Sequence, residues 1–161
     1  MRHSRTLKTF GALALSAALT APIAGPAQAD DADMATYARQ GLMNAMQLNA
    51  NPLYAVAKGQ AEYDAAAAAE LAANLKILAS YPIPSLFPEG TSKPERPGKT
   101  RARPAIWEDS LKFEQDFEDL RFAVAKLADN AEAGPEAFIA TVTELGQACG
   151  GCHNDFRAKD Y

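Results

Sequence analysis

"FIATVTELGQACGGCHNDFR", residues 138–157, carries two patterns at once. Phe138, Val142, Leu145, Cys149, Cys152 and Phe156 follow one another at spacings of 4, 3, 4, 3 and 4, the period of one face of an α-helix. Laid over that face is a Cys-x-x-Cys-His run, Cys149 to His153. Pro135, a favoured first-turn residue, opens the segment. A helix of this kind is held mainly by what packs on its apolar stripe, so the rest of the chain has to supply a cover.

Three further amphipathic segments can do so. The first is predicted over Asp33 to Asn49, stopping before Pro52. The second, Asp64 to Ser80, opens on an aspartate cap and an alanine run, then carries Leu71, Leu75 and Leu78 until Pro82 and Pro84 end it. The third starts after Pro104 and carries Trp107, Phe113, Phe117, Leu120, Val124 and Leu127 as one stripe, broken between Asn130 and Gly134. With no strand-like run between them, the segments predict an all-α fold: an antiparallel four-helix bundle with one long proline-rich connection between helices 2 and 3. That connection, residues 81–104, holds six of the ten prolines and is expected to cross the surface of the bundle.

The first 29 residues read as a leader. Arg2, Arg5 and Lys8 precede an apolar stretch from Phe10 to Ile23, and Ala27-Gln28-Ala29 offers a small-residue cleavage site. Pro22, Gly25 and Pro26 interrupt the stretch before it can span a bilayer. The exported chain is therefore expected to begin at Asp30, to have no membrane span and to work in the periplasm. Residues 30–161 make one domain; they hold 13 basic and 20 acidic residues, a formal charge of −7, which argues against nucleic acid as a partner. Lys93, Arg96, Lys99, Arg101 and Arg103 concentrate five of those cations in the long connection, facing only Glu89 and Glu95. Such polarity either steers a charged redox partner or belongs to a solvated loop.

Cleavage also removes His3 and leaves His153 as the one histidine of the exported chain. Cys-x-x-Cys serves redox disulfides, zinc sites and covalent haem attachment. A redox pair belongs at a helix N-terminus after a strand, whereas Cys149 and Cys152 sit near a helix C-terminus. A structural zinc site needs four ligands, and two thiols with one imidazole fall short. Haem attachment needs what is present: two thiols for the vinyl groups and an adjacent histidine for the iron.

An exported helical bundle ending in Cys-x-x-Cys-His resembles the class II cytochromes c, the family of cytochrome c′ and its low-spin relatives. The likeness runs through "ARQGLM" (38–43), "AKGQAEYDAA" (57–66), "RPAIW" (103–107) and "CGGCHNDFR" (149–157). It implies one haem c per chain, with Cys149 and Cys152 as its thioether links and His153 as the proximal iron ligand. It also implies that Arg39 stands near the haem propionates, that Arg157 is the basic residue one turn beyond the proximal histidine, and that Trp107 packs near the haem. Each arginine also reads as an ordinary solvated charge. Phe156 stands where many members have tyrosine. Homodimerisation through the first two helices is a further family expectation, and Ala65–Ala69 with Ala72 and Ala73 would permit close helix packing.

Function then turns on the second face of the iron. Met43 follows Arg39 by four residues and shares its helix face; the resemblance places a ligating methionine there in low-spin members and a covering apolar residue in cytochromes c′. Met46 lies one turn further along. With Met43 on the iron the protein is a one-electron carrier for redox partner proteins; with the position open it binds nitric oxide or carbon monoxide. A bundle without haem is the third reading. No nucleophile and base pair suggests an enzyme.

Overall fold

The computed structural model describes residues 26–161, so the expected leader, residues 1–29, lies outside them except for its last few positions. Five α-helices follow in order: α1 (Pro26–Ala57), α2 (Ala65–Ala79), α3 (Ala105–Glu108), α4 (Ser110–Asn130) and α5 (Pro135–Phe156). The four long ones close into a bundle in which α1 lies against α2 and α5, and α4 against the same two. Leu53, Leu75, Val124, Leu127, Phe138, Val142 and Leu145 meet at its centre, none more than 1% exposed. The 4–3 stripe of α5 thus finds the cover it requires. Among the described residues there is no strand, only an isolated antiparallel bridge between Ala102 and Arg157.

Caps set the boundaries. The Asp64 carboxylate accepts from Ala67 N at 3.0 Å and starts α2. Gly134 precedes Pro135 at φ 101° and ψ 164°, a backbone region that side-chain-bearing residues avoid, and this turns the chain from α4 into α5.

Three boundaries differ from the expected ones, the first being the start of α1 at Pro26 rather than Asp33. Helix α1 does not stop before Pro52 but runs through it to Ala57. A proline inside a helix costs about 3 kcal/mol, yet its ring is on the exposed side, while Met46, Ala50 and Leu53 continue the buried stripe at spacings of 4 and 3. Burial of that stripe outweighs the lost backbone bond. The expected third helix is in fact two. Asp109 adopts φ −132° and ψ 62° and accepts from Lys112 N at 3.2 Å, so it caps a new helix, α4, and leaves Trp107 on the short α3, off the α4 stripe.

Nor does the long connection simply cross the surface. It opens with a 3-10 turn, Ile83–Leu86, whose two end residues are buried, and Thr91, Thr100 and Ala102 are buried as well. The reason lies on α1, in the side chain of Arg39.

Candidate functional site

At one end of the bundle a cleft of about 420 Å³ opens between α1, α5 and the long connection. The last turns of α5 bring Cys149, Cys152, His153 and Phe156 to it; α1 brings Arg39, Met43, Met46 and Tyr54; Phe87 and Phe113 complete the apolar walls. Arg157 stands at its edge, shared with a smaller cleft of about 280 Å³ lined by Arg101, His153, Asn154, Ala158 and Lys159. One cavity therefore gathers Arg39, Met43, Cys149, Cys152, His153 and Arg157, but not Trp107.

The donor groups are held neutral. Burial pushes the Cys149 thiol up, and burial with the Asp116 carboxylate pushes Cys152 up to about 11. The two thiols are not bonded to each other. Burial, then the nearby Arg157 and Arg101 cations, bring the His153 imidazole down to about 4, so at pH 7 it is the neutral base that binds a metal. The Tyr54 hydroxyl donates to Cys149 Sγ at 3.9 Å. Gly146 lies beside that ring, where a Cβ would stand 3.6 Å from Tyr54 Cε1, an ordinary van der Waals contact.

Arg39 is no solvated helix charge. It is 3% exposed. Its Nη1 donates to Thr91 Oγ1 at 2.8 Å and its Nη2 to Thr91 O and Thr100 Oγ1 at 2.7 Å each. The guanidinium also stands 4.7 Å from the Phe87 ring centroid. Burial, with Arg96 nearby, brings its pKa down to about 10. Five donors in a planar fork suit this set of acceptors; no carboxylate pairs with it among the described residues. Arg157, by contrast, is exposed, and its N–H closes α5 by donating to His153 O at 3.2 Å.

Trp107 does not border the cleft. Its indole N–H donates to Phe87 O at 3.0 Å, and its ring meets Phe87 edge-on at 6.4 Å. It supports a wall residue from behind. The cleft residues that the sequence reading missed are Tyr54 and Phe87, and Arg101 was expected only as one of the cations of the long connection. Tyr54 lies beyond Pro52, where the first helix was expected to have ended, and the other two belong to a connection with no periodic signal.

No three His, Cys, Asp or Glu side chains among the described residues are grouped to hold a bare metal ion, which leaves zinc without a ligand set. The residues do fit a cofactor that brings most of its own ligands. Two thiols suit thioether bonds, one imidazole an axial position, apolar walls a flat macrocycle, and a buried cation without a carboxylate an acidic edge. Residues 34–157 match the family model for cytochrome c′.

The chain belongs to the cytochrome c′ family. It is 39% identical over 145 residues to the cytochrome c′ of Cereibacter sphaeroides, covering 90% of this chain and 97% of that one. To cytochrome c-554 of the same organism it is 36% identical over 157 residues, covering 96% and 100%. A solved nitric oxide complex of a variant cytochrome c′ from Alcaligenes xylosoxidans shares the bundle with a TM-score of 0.69 and 30% identity, covering 80% of this chain and 97% of that one. As a cytochrome c′ family member the chain carries haem c, one per chain, and the bundle is the family's four-helix fold.

Proposed function

We propose that this protein is an exported one-electron carrier whose haem is linked through Cys149 and Cys152 and whose iron is held by His153 on one side and Met43 on the other. The observation that carries the reading is the placement of Met43: it borders the same cleft as both cysteines and the histidine, one turn from Arg39 on α1. When bound, the haem supplies a one-electron couple, and a Met/His pair raises its potential. The chain's own contribution is electrostatic and steric. His153 is kept neutral and ready to bind, aromatic walls keep water from the ring, and the charge of Arg39 meets the cofactor's carboxylates. Arg157, beside His153, adds positive charge at the rim. Met46, 7% exposed and packed in the core, serves as filler.

A second reading has one specific observation behind it. A relative of the same fold has been solved with nitric oxide bound. In that reading Met43 covers the iron without binding it, and a diatomic gas enters beneath it. Optical spectra of the oxidised and reduced protein decide between the two. A low-spin spectrum with a sulfur-to-iron charge-transfer band, indifferent to carbon monoxide, is expected, and Met43→Ala turns it high-spin and gas-binding. A high-spin wild type that shifts on adding carbon monoxide replaces the first reading with the second.

Residues 1–29 serve as the export signal for the periplasm and residues 30–161 form the haem domain; N-terminal sequencing of the purified protein should begin at Asp30. No described helix is long and apolar enough to cross a membrane. Met34, Tyr37 and Leu48 on α1 and Ile77 on α2, each at least 59% exposed, support a homodimer through these helices, which sedimentation velocity reads directly.

A further inference from the structure

The isolated bridge between Ala102 and Arg157 joins two segments more than fifty residues apart in sequence. Arg103 N donates to Phe156 O at 2.9 Å and Ala158 N to Arg101 O at 2.8 Å. Ala102, between Arg101 and Arg103, turns inward and is 7% exposed. The pairing therefore sets residues 99–103 beside Arg157 and Lys159: Arg101, Arg157 and Lys159 line the two clefts that share His153, Arg103 Nη1 donates to Asn154 O at 3.1 Å, and the exposed Lys99 precedes Thr100, which lines the larger cleft.

None of these five cations pairs with a carboxylate among the described residues. The two acids in the same segments are already matched: Asp160 with Lys93 at 2.8 Å and Asp155 with Lys112 at 2.8 Å. Residues 30–161 carry 13 cations and 20 anions, so the patch gathers five of the thirteen on a strongly anionic molecule. The haem's own two carboxylates leave it positive. A charge pattern opposed to the net charge, at the edge of the redox site, selects partners by surface rather than by overall attraction.

We propose that this rim, centred on Lys99, Arg101, Arg103 and Lys159, is the docking surface for a redox partner protein with a carboxylate-rich face. The inference rests on the electron-carrier reading and deepens it by naming the surface and the chemistry of the partner. Encounter brings the partner's carboxylates over the rim, next to the α5 end that holds His153. The rest of the molecule repels an acidic partner and so restricts docking to this end.

The holoprotein tests the idea through the sign of a salt effect. Reduced protein is mixed with hexacyanoferrate(III), which takes one electron from the ferrous haem and leaves as hexacyanoferrate(II). The net charge predicts a rate that rises with ionic strength; the rim predicts one that falls several-fold between about 10 and 200 mM as the Debye length shrinks. Lys99→Glu/Lys159→Glu reverses the slope. Lys58→Glu/Lys76→Glu changes the net charge equally at exposed sites off the rim and leaves the slope falling. The same series with a reduced acidic ferredoxin donating one electron to the ferric haem reads protein docking, and the same pattern is expected. A wild-type rate that rises with salt, equal effects of the two double variants, or steering of the small anion without steering of the ferredoxin each overturns the proposal. Carbon monoxide binding by the reduced wild type instead removes the electron-carrier reading, and does so without altering these slopes.

Discussion

Arg39 and Thr91 meet twice. The guanidinium Nη2 lies 2.7 Å from the Thr91 carbonyl oxygen and Nη1 lies 2.8 Å from its Oγ1, so one side chain of α1 grips one residue of the long connection by both backbone and side chain. The connection is thereby drawn into the end of the bundle, where Phe87 becomes a wall of the cleft that Cys149, Cys152 and His153 also line.

Arg39→Ala strips buried acceptors on Thr91 and Thr100 of their donor. Unsatisfied buried groups cost about 1–3 kcal/mol each, and a total loss of about 2–4 kcal/mol is expected. Arg39→Lys should recover less than half, because one ammonium does not reproduce the fork. The urea midpoint of the holoprotein measures both; a loss under about 0.5 kcal/mol removes the clamp.

Cys149→Ala and Cys152→Ala each leave one thiol able to form a thioether. Either single variant is expected to retain some haem on a denaturing gel, and the double variant none. Haem that stays attached in the double variant contradicts covalent linkage through these residues.

Gly146→Ala places a methyl 3.6 Å from Tyr54 Cε1, an ordinary contact, and removes the helical penalty of glycine, up to about 1 kcal/mol. The thermal midpoint should hold or rise slightly. Gly146→Leu has no such room. It is expected to displace the Tyr54 ring, lower the midpoint and reduce haem content.

The imidazole of His153 has its pKa brought down to about 4 by burial first and by Arg157 and Arg101 next. Its folded value lies below the usual ~6.5 of an unfolded chain. The stability tied to the neutral ring is therefore complete above about pH 6.5 and lost as pH falls from there toward 4. Removing one cation raises the folded value toward the unfolded one and narrows that gap, so Arg157→Gln should lose less stability between about pH 6.5 and 4 than the wild type does, read as the urea midpoint of the haem-free protein against pH. An equal or larger loss excludes Arg157 as a neighbour of the imidazole.

Much of this site is legible in one dimension because its parts are local. Cys149, Cys152 and His153 lie within five residues of each other, and the stripe they ride on repeats from Phe138 to Phe156. The same locality holds for Arg39 and Met43. Where sequence reading stopped short, a long-range contact overrode a local signal. Pro52 breaks helices in isolation, but Met46, Ala50 and Leu53 bury a stripe across it. Trp107 shares a period with Phe113, but Asp109 caps a new helix between them.

The sequence by itself determined the bundle, its long connection and the donor set, because helical periodicity and a Cys-x-x-Cys-His run depend only on residues near one another in the chain. Only the tertiary structure decided that Arg39 is an interior clamp, that Tyr54 reaches Cys149, and that residues 99–103 lie beside residues 157–159 to make a cationic rim. Each of these depends on which segments meet after folding, and burial, hydrogen-bond satisfaction and charge clustering exist only once they have met.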